Sequence, residues 1–326
     1  FAEVLDENGY HVGYTHKGYA PGIALNADGT KRDLLVNKYN EAGLTPPTKG
    51  IAKTDYAGNF ELFLEDREAE QPFFFWYGSV EPHRGYEYNS GPRITGRQLN
   101  EVDQVPGFWP DTDSVRTDML DYSYEIEYFD SHLQKMLDKL EEIGEADNTV
   151  VIVTADNGMP FPRVKGQAYE WSNHLPLAIR WPKGMKKTGR VVSDYVNFID
   201  FTPTILEPAQ IEQDNSGMHP ITGHSLTDIF NSQKEKDISP FRDFVLIGKE
   251  RHDIGSPDDP GYPIHGIVRD GMLYVRNFKT DRWPAGDPIT GYLNTDGSPT
   301  KSQILAWNRE NREIQYWQLA FGKRAN

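Results

Sequence analysis

Apolar runs that stop abruptly at polar clusters recur along this chain, and they predict most of its regular structure. Residues 149–154, Thr-Val-Val-Ile-Val-Thr, are β-branched and show no polar alternation, the pattern of a strand buried on both faces. That run ends at Asp156-Asn157-Gly158. A second run, Pro72-Phe-Phe-Phe-Trp-Tyr-Gly-Ser-Val80, ends at Glu81-Pro82-His83-Arg84. A third, Tyr10-His-Val-Gly-Tyr-Thr15, delivers His16-Lys17, and Leu175-Pro-Leu-Ala-Ile-Arg-Trp181 reads as a further buried strand. The period changes in between. Met119, Tyr122, Ile126, Phe129, Leu133, Leu137 and Leu140 recur at steps of three and four, which predicts a helix over about 115–143 with Ser114 as its cap and Gly144 as its stop.

The ends of the chain read differently. Residues 1–9 look like the last turns of an amphipathic helix closed by Asn8-Gly9, and Asp200-Phe-Thr-Pro203 marks the start of a short helix. Residues 23–71 are polar and mixed, whereas 85–113 are irregular and rich in Gly and Pro, long enough for a lid or substrate loop. Phe244-Val-Leu-Ile-Gly248 predicts a strand, and 266–276 predict a hairpin turning at Asp270-Gly271. With a polar boundary over 212–243, the chain divides into an α/β region, 1–235, and a small C-terminal antiparallel subdomain, 236–326.

Composition narrows the function classes. The chain has 326 residues and a formal net charge of −15, which repels phosphate backbones at long range and argues against broad nucleic-acid binding. No apolar run approaches the roughly 20 residues that span a bilayer. With zero cysteines there are no disulfides, no thiolate metal sites and no cysteine-derived nucleophile in this sequence.

Candidate chemistry gathers where strands stop. In open α/β sheets ligands bind beyond the carboxyl ends of the strands, so Lys17, His83 and Asp156-Asn157, with Lys165 beyond, would converge if their strands shared one parallel sheet. Two lysines, a histidine and two oxygen donors suit a tetrahedral oxyanion held partly by a hard metal ion. Each residue alone has a plainer reading: a solvated lysine, a hydrogen-bonded histidine, an acidic turn with an Asn-Gly bend. Lys249-Glu250-Arg251-His252-Asp253 likewise reads equally well as an exposed charged loop.

The order of these motifs resembles the sulfatase branch of the alkaline-phosphatase superfamily, in its heparan N-sulfatase type of sequence. The resemblance runs through Gly9-Tyr-His-Val-Gly-Tyr14 with Lys17, Glu81-Pro-His83-Arg84, Ala155-Asp156-Asn157-Gly158-Met-Pro-Phe-Pro-Arg163 with Lys165, and Ser172-Asn-His-Leu-Pro-Leu-Ala-Ile179. It continues through Asp200-Phe-Thr-Pro-Thr204 and Glu250-Arg251-His252 to the segment from Arg276 to Asp287. It implies an alkaline-phosphatase-like fold, a mixed and mostly parallel sheet between helices with a small C-terminal antiparallel sheet. It also implies a sulfate-ester or sulfamate hydrolase with calcium or magnesium and a formylglycine nucleophile. By the same resemblance Asp156 and Asn157 match metal ligands, Lys17 and Lys165 match sulfate-binding lysines, and His83 matches the histidine near the leaving group. Glu250, Arg251 and His252 would face the sugar. The implied partner is a sulfated glycan or sulfated amino sugar, most closely the N-sulfoglucosamine of heparan, and the implied compartment is periplasmic, secreted or lysosomal.

Departures from the pattern carry expectations of their own. Such sulfatases open with a strand bearing paired aspartates and then a Cys-x-Pro-x-Arg segment, both ahead of the lysine matched by Lys17, and this sequence has neither. Ser90-Gly-Pro-Arg93 comes nearest, with its arginine three residues after the serine and in another part of the order. Tyr19 stands where many members have histidine, and His16 where many have glycine. The sequence is therefore expected to be a portion of a longer protein, inactive alone. Two alternatives stay open at this point: a phosphodiesterase or phosphonate hydrolase of the same superfamily, and a non-catalytic glycan-binding relative.

Overall fold

In the computed structural model, residues 1–19, 22–212, 216–251, 260–287, 292–293 and 295–325 are described. The elements run α1 (Ala2–Glu7), β1 (His11–His16), β2 (Asn37–Lys38), α2 (Tyr56–Glu65), β3 (Phe73–Gly78), α3 (Ser90–Thr95) and α4 (Asp113–Glu142). Next come β4 (Val151–Thr154), α5 (Glu170–Asn173), β5 (Leu177–Arg180), α6 (Phe201–Leu206) and α7 (Thr227–Phe230). The last part holds β6 (Phe244–Lys249), β7 (Ile264–Arg269), β8 (Met272–Asn277), the short pair β9 (Gly286–Asp287) and β10 (Tyr292–Leu293), α8 (Pro299–Arg309) and α9 (Gln315–Phe321). Among the described residues no helix is long and apolar enough to cross a membrane.

The chain forms two compact units, one from 1–82, 126–149 and 181–242, the other from 83–125, 150–180 and 243–326. The first unit is built on a parallel sheet in the order β2-β1-β3, with His11 opposite Phe73 and His16 opposite Gly78. A parallel strand needs cover on both faces, and alternation along β1 supplies the contacts. Val12 and Tyr14 pack with Ala2 and Leu5 of α1 and with Phe74, while Gly13 leaves room for the Phe63 ring of α2, which would lie 2.8 Å from a Cβ there. Helix α2 is capped by Asp55, which accepts from the Gly58 N–H, and it buries Tyr56, Phe60 and Phe63.

The second unit centres on a core of Trp109, Val115, Phe161, Val164, Ile304 and Phe321, joining the first turns of α4 to α8 and α9. Its larger sheet is the antiparallel β6-β7-β8. The β7–β8 hairpin turns where the sequence placed it, with φ of 51° at Asp270 and 70° at Gly271, the left-handed pair that matches strand twist. The expectation of one parallel sheet holds for β1 and β3 but not for β4. Among the described strands β4 pairs antiparallel with β5, Val151 opposite Arg180, because the 155–176 connection brings the chain back in the reverse direction.

Candidate anion and metal site

Lys17 belongs to the first unit and is held by its backbone. Its N–H donates to the Gly78 carbonyl at 2.9 Å, and its carbonyl accepts from the Trp76 indole N–H at 3.1 Å. Gly78 must be glycine for this approach, since a Cβ there would sit 1.8 Å from the Lys17 oxygen. His16 closes β1 with φ of 61°, a left-handed conformation in which glycine is at home and which costs other residues about 1–2 kcal/mol. Its Nδ1 meets the Thr54 hydroxyl at 3.0 Å, a contact that helps hold this conformation, and burial pushes its pKa below the ordinary histidine value.

In the second unit, the polar residues after β4 are spaced by an anchored apolar segment. Asp156 and Asn157 are exposed. Gly158 then runs against the Trp171–Ser172 backbone, donating to the Ser172 carbonyl at 3.2 Å, and a Cβ on it would be 2.2 Å from the Trp171 oxygen. Phe161 and Val164 are fully buried, and the Trp109 indole donates to the Pro162 carbonyl at 2.8 Å. Arg163, with φ of 71°, donates to the Leu319 carbonyl at 2.7 Å and lies 4.3 Å from the Tyr169 ring centre. The segment is thus pinned at its middle, which fixes where Lys165 emerges.

Lys165 emerges beside His83. Its Nζ lies 3.4 Å from His83 Nε2 and donates to the Asp296 carboxylate at 2.9 Å. His83 Nδ1 is 2.6 Å from the Arg84 carbonyl, which can only accept, so Nδ1 carries a proton and Nε2 is the ring position turned to Lys165. The Arg84 side chain points elsewhere. It forks onto buried Asp118, donates through Nε to the Pro160 carbonyl at 2.8 Å, and stacks on Tyr86 and Phe161. One guanidinium therefore ties the turn that carries His83 to the segment that carries Lys165.

The residues expected to face a sugar follow the last residue of β6. Glu250 is exposed and accepts from His265 Nε2 at 2.7 Å, Arg251 is exposed, and His252 lies outside the described residues. Lys249, which the sequence placed in a charged cluster that reads equally well as an exposed loop, turns the other way. Its buried ammonium donates to the carbonyls of Gly166, next to Lys165, and of Pro284, and burial lowers its pKa to about 8. The inward positions of β6, Val245 and Ile247, could have flagged Lys249 by period two.

Oxygen donors at Asp156 and Asn157 suit calcium or magnesium in type, and neither side chain has a hydrogen-bond partner among the described residues. Calcium takes about six to eight oxygens, however, and these two supply a fraction of that set. Among the described residues no group of three or more His, Asp or Glu forms a metal cluster. Beside Asn157 opens a shallow pocket of about 430 Å³, lined also by Tyr122, Met159, Trp171 and His174.

Comparison with known proteins supplies the context for this geometry. A family model described as Sulfatase matches residues 1–211. Human N-sulphoglucosamine sulphohydrolase is 30% identical over 294 residues, which are 79% of this chain and 55% of that protein. An N-acetylglucosamine-6-O-sulfatase of Bacteroides thetaiotaomicron is 36% identical over 98 residues, 29% of this chain and 17% of its own length. The chain thus spans about half the human relative's length. The solved sulfatase yidJ of Bacteroides fragilis superposes with a TM-score of 0.53 at 15% identity, covering 98% of this chain and 78% of that one. A structure solved in work on glycosaminoglycan metabolism by Bacteroides thetaiotaomicron gives 0.52 at 16% identity, covering 90% and 63%. Both likenesses are of fold.

Proposed function

Because this chain belongs to the sulfatase family, we propose that it is a portion of an enzyme that hydrolyses a sulfamate or sulfate ester on a glycosaminoglycan-type sugar, with N-sulfoglucosamine as the preferred group. The observation that carries the reading is the contact of the Lys165 ammonium with His83 Nε2, on the same anchored segment that presents Asp156 and Asn157. Support for the N-sulfo group comes from the 30% identity to N-sulphoglucosamine sulphohydrolase.

Each residue has a task in this reading. Lys165 and Lys17 offset charge on the sulfuryl oxygens, and His83, its Nδ1–H held by the Arg84 carbonyl, passes a proton from Nε2 to the departing atom when the ring is doubly protonated. Asp156 and Asn157 would hold the calcium or magnesium ion, whose chemistry when bound is to polarise the sulfuryl group, while a formylglycine outside this sequence supplies the nucleophile. With no cysteine to yield formylglycine, the chain is inactive by itself. Glu250, Arg251 and His252 contribute to sugar recognition. The compartment is periplasmic, lysosomal or extracellular.

The test is an assay of the full-length gene product on N-sulfoglucosamine, N-acetylglucosamine 6-sulfate and a phosphodiester. Sulfate release from the first at the highest kcat/KM is expected. Turnover of the phosphodiester alone would overturn the reading.

A further inference from the structure

An acid stands where an anion-binding site has least use for one. The Asp296 carboxylate lies 2.9 Å from the Lys165 ammonium, which lies 3.4 Å from His83 Nε2. A carboxylate this close neutralises much of the cation that is to grip a sulfuryl group. In a chain whose net charge is already −15, it adds to the repulsion an anionic substrate must overcome. Such an acid is useful if the substrate also presents a group that becomes positive during the reaction.

Asp296 is also firmly placed. It precedes Ser298, the cap of α8, which accepts from the Lys301 N–H at 3.0 Å, and the Lys301 ammonium donates to the Thr295 carbonyl at 2.6 Å. The next residue of α8, Thr300, is fully buried and donates its hydroxyl to Asp118 at 2.6 Å, the same carboxylate that receives the Arg84 fork. Asp296, Lys165 and His83 are therefore braced through one buried acid, and their proximity is built in.

The two classes of substrate differ in the charge of what leaves. In sulfamate hydrolysis the S–N bond breaks with its electron pair on nitrogen, sulfur gains an oxygen that in the net reaction comes from water, and both water protons end on the amine: R–NH–SO3⁻ + H2O gives R–NH3⁺ + SO4²⁻. In ester hydrolysis the S–O bond breaks, the alcohol oxygen takes one proton and the other goes to solvent, so the product alcohol is neutral. Beside the His83 proton donor, a carboxylate favours the first outcome over the second.

We propose that Asp296 is a specificity-determining residue that selects substrates whose leaving atom is an amine nitrogen, by facing the nascent ammonium next to His83. The inference rests on the N-sulfo reading above. A residue that only positions Lys165 would affect sulfamates and esters alike, which separates the two roles.

The experiment uses the full-length holoenzyme as wild type, Asp296→Asn and Asp296→Glu. It compares kcat/KM on N-sulfoglucosamine with that on N-acetylglucosamine 6-sulfate, and inhibition by glucosamine with inhibition by glucose. In Asp296→Asn the sulfamate-to-ester ratio falls on the order of tenfold or more and the tighter inhibition by glucosamine disappears, while Asp296→Glu keeps part of both. Equal losses on the two substrates with glucosamine inhibition unchanged, or no change at all, overturn the proposal alone. A wild type that cleaves the ester and leaves the sulfamate intact overturns the N-sulfo reading and this inference with it. The inhibition arm decides the matter where only the sulfamate is turned over.

Discussion

The Arg84 guanidinium and the Asp118 carboxylate meet as a buried fork, Nη1 to Oδ1 at 2.6 Å and Nη2 to Oδ2 at 3.0 Å, with both side chains almost fully enclosed. The second carboxylate oxygen also accepts from the Thr300 hydroxyl and N–H, so one acid joins α4, α8 and the turn after β3.

Removing one member of a buried pair leaves the other charged and unpartnered, which costs about 3–5 kcal/mol. Asp118→Asn, which keeps the volume and loses the charge, should lower the unfolding free energy of the full-length protein by that amount, read as a lower urea midpoint at unchanged m-value. Arg84→Lys should also destabilise, because a point ammonium cannot fork onto a carboxylate and reach the Pro160 carbonyl together. Midpoints within error of wild type for both would show that this fork does not brace the site.

Lys165 is the residue through which the proposed chemistry is most directly probed. Deleting a preorganised cation aimed at developing charge lowers kcat by roughly 10²–10³. Lys165→Ala in the full-length enzyme should therefore lose sulfate release by that factor while keeping its melting temperature, and Lys165→Arg should recover part of it. Near-normal turnover by Lys165→Ala would remove the residue from the site.

Much of this arrangement was legible before any coordinates, for a physical reason. The strands β1, β3 and β4 are short apolar runs that end abruptly, so the points where they give way to Lys17, His83 and Asp156 stand out in the sequence. His16 closes β1 with a φ of 61°, a conformation that glycine adopts at no steric cost. What stayed hidden was of two kinds. Helix α2 sits in a polar, mixed stretch where Tyr56, Phe60 and Phe63 are spaced by four and three but flanked by acids, and α8 shows only its Ser298-Pro299 start. Asp296 meets Lys165 across more than a hundred residues, which no local pattern encodes, whereas the period of β6 turns Lys249 inward without revealing its Gly166 partner.

The Asp156-Asn157 pair depends on the glycine after it. Because a Cβ at Gly158 would lie 2.2 Å from the Trp171 carbonyl oxygen, a backbone group that cannot swing away, Gly158→Ala must shift Asn157. Calorimetric titration of metal-free full-length protein with calcium should give an affinity weaker by about 10–100-fold, the loss typical when support for metal ligands is disturbed. Unchanged calcium affinity would separate this segment from metal binding.

Lys249 makes a prediction about pH whose sign follows from burial. Its ammonium is enclosed by the Gly166 and Pro284 carbonyls and the face of Tyr262 and has no carboxylate partner among the described residues, so desolvation lowers its pKa from 10.5 to about 8. Below about pH 8 the group is protonated in folded and unfolded chains alike, and the folded state bears the cost of the buried charge. Between about 8 and 10.5 the folded protein has released the proton and the unfolded chain still binds it, so this residue makes stability rise with pH across that window. At 1.36 kcal/mol per pKa unit the gain is on the order of 3 kcal/mol. Urea unfolding of the full-length protein at pH 7.5 and pH 10 isolates it by difference. Wild type should gain stability relative to Lys249→Met between the two pH values, and parallel pH dependence of the two proteins would mean that Lys249 is solvated in the folded state.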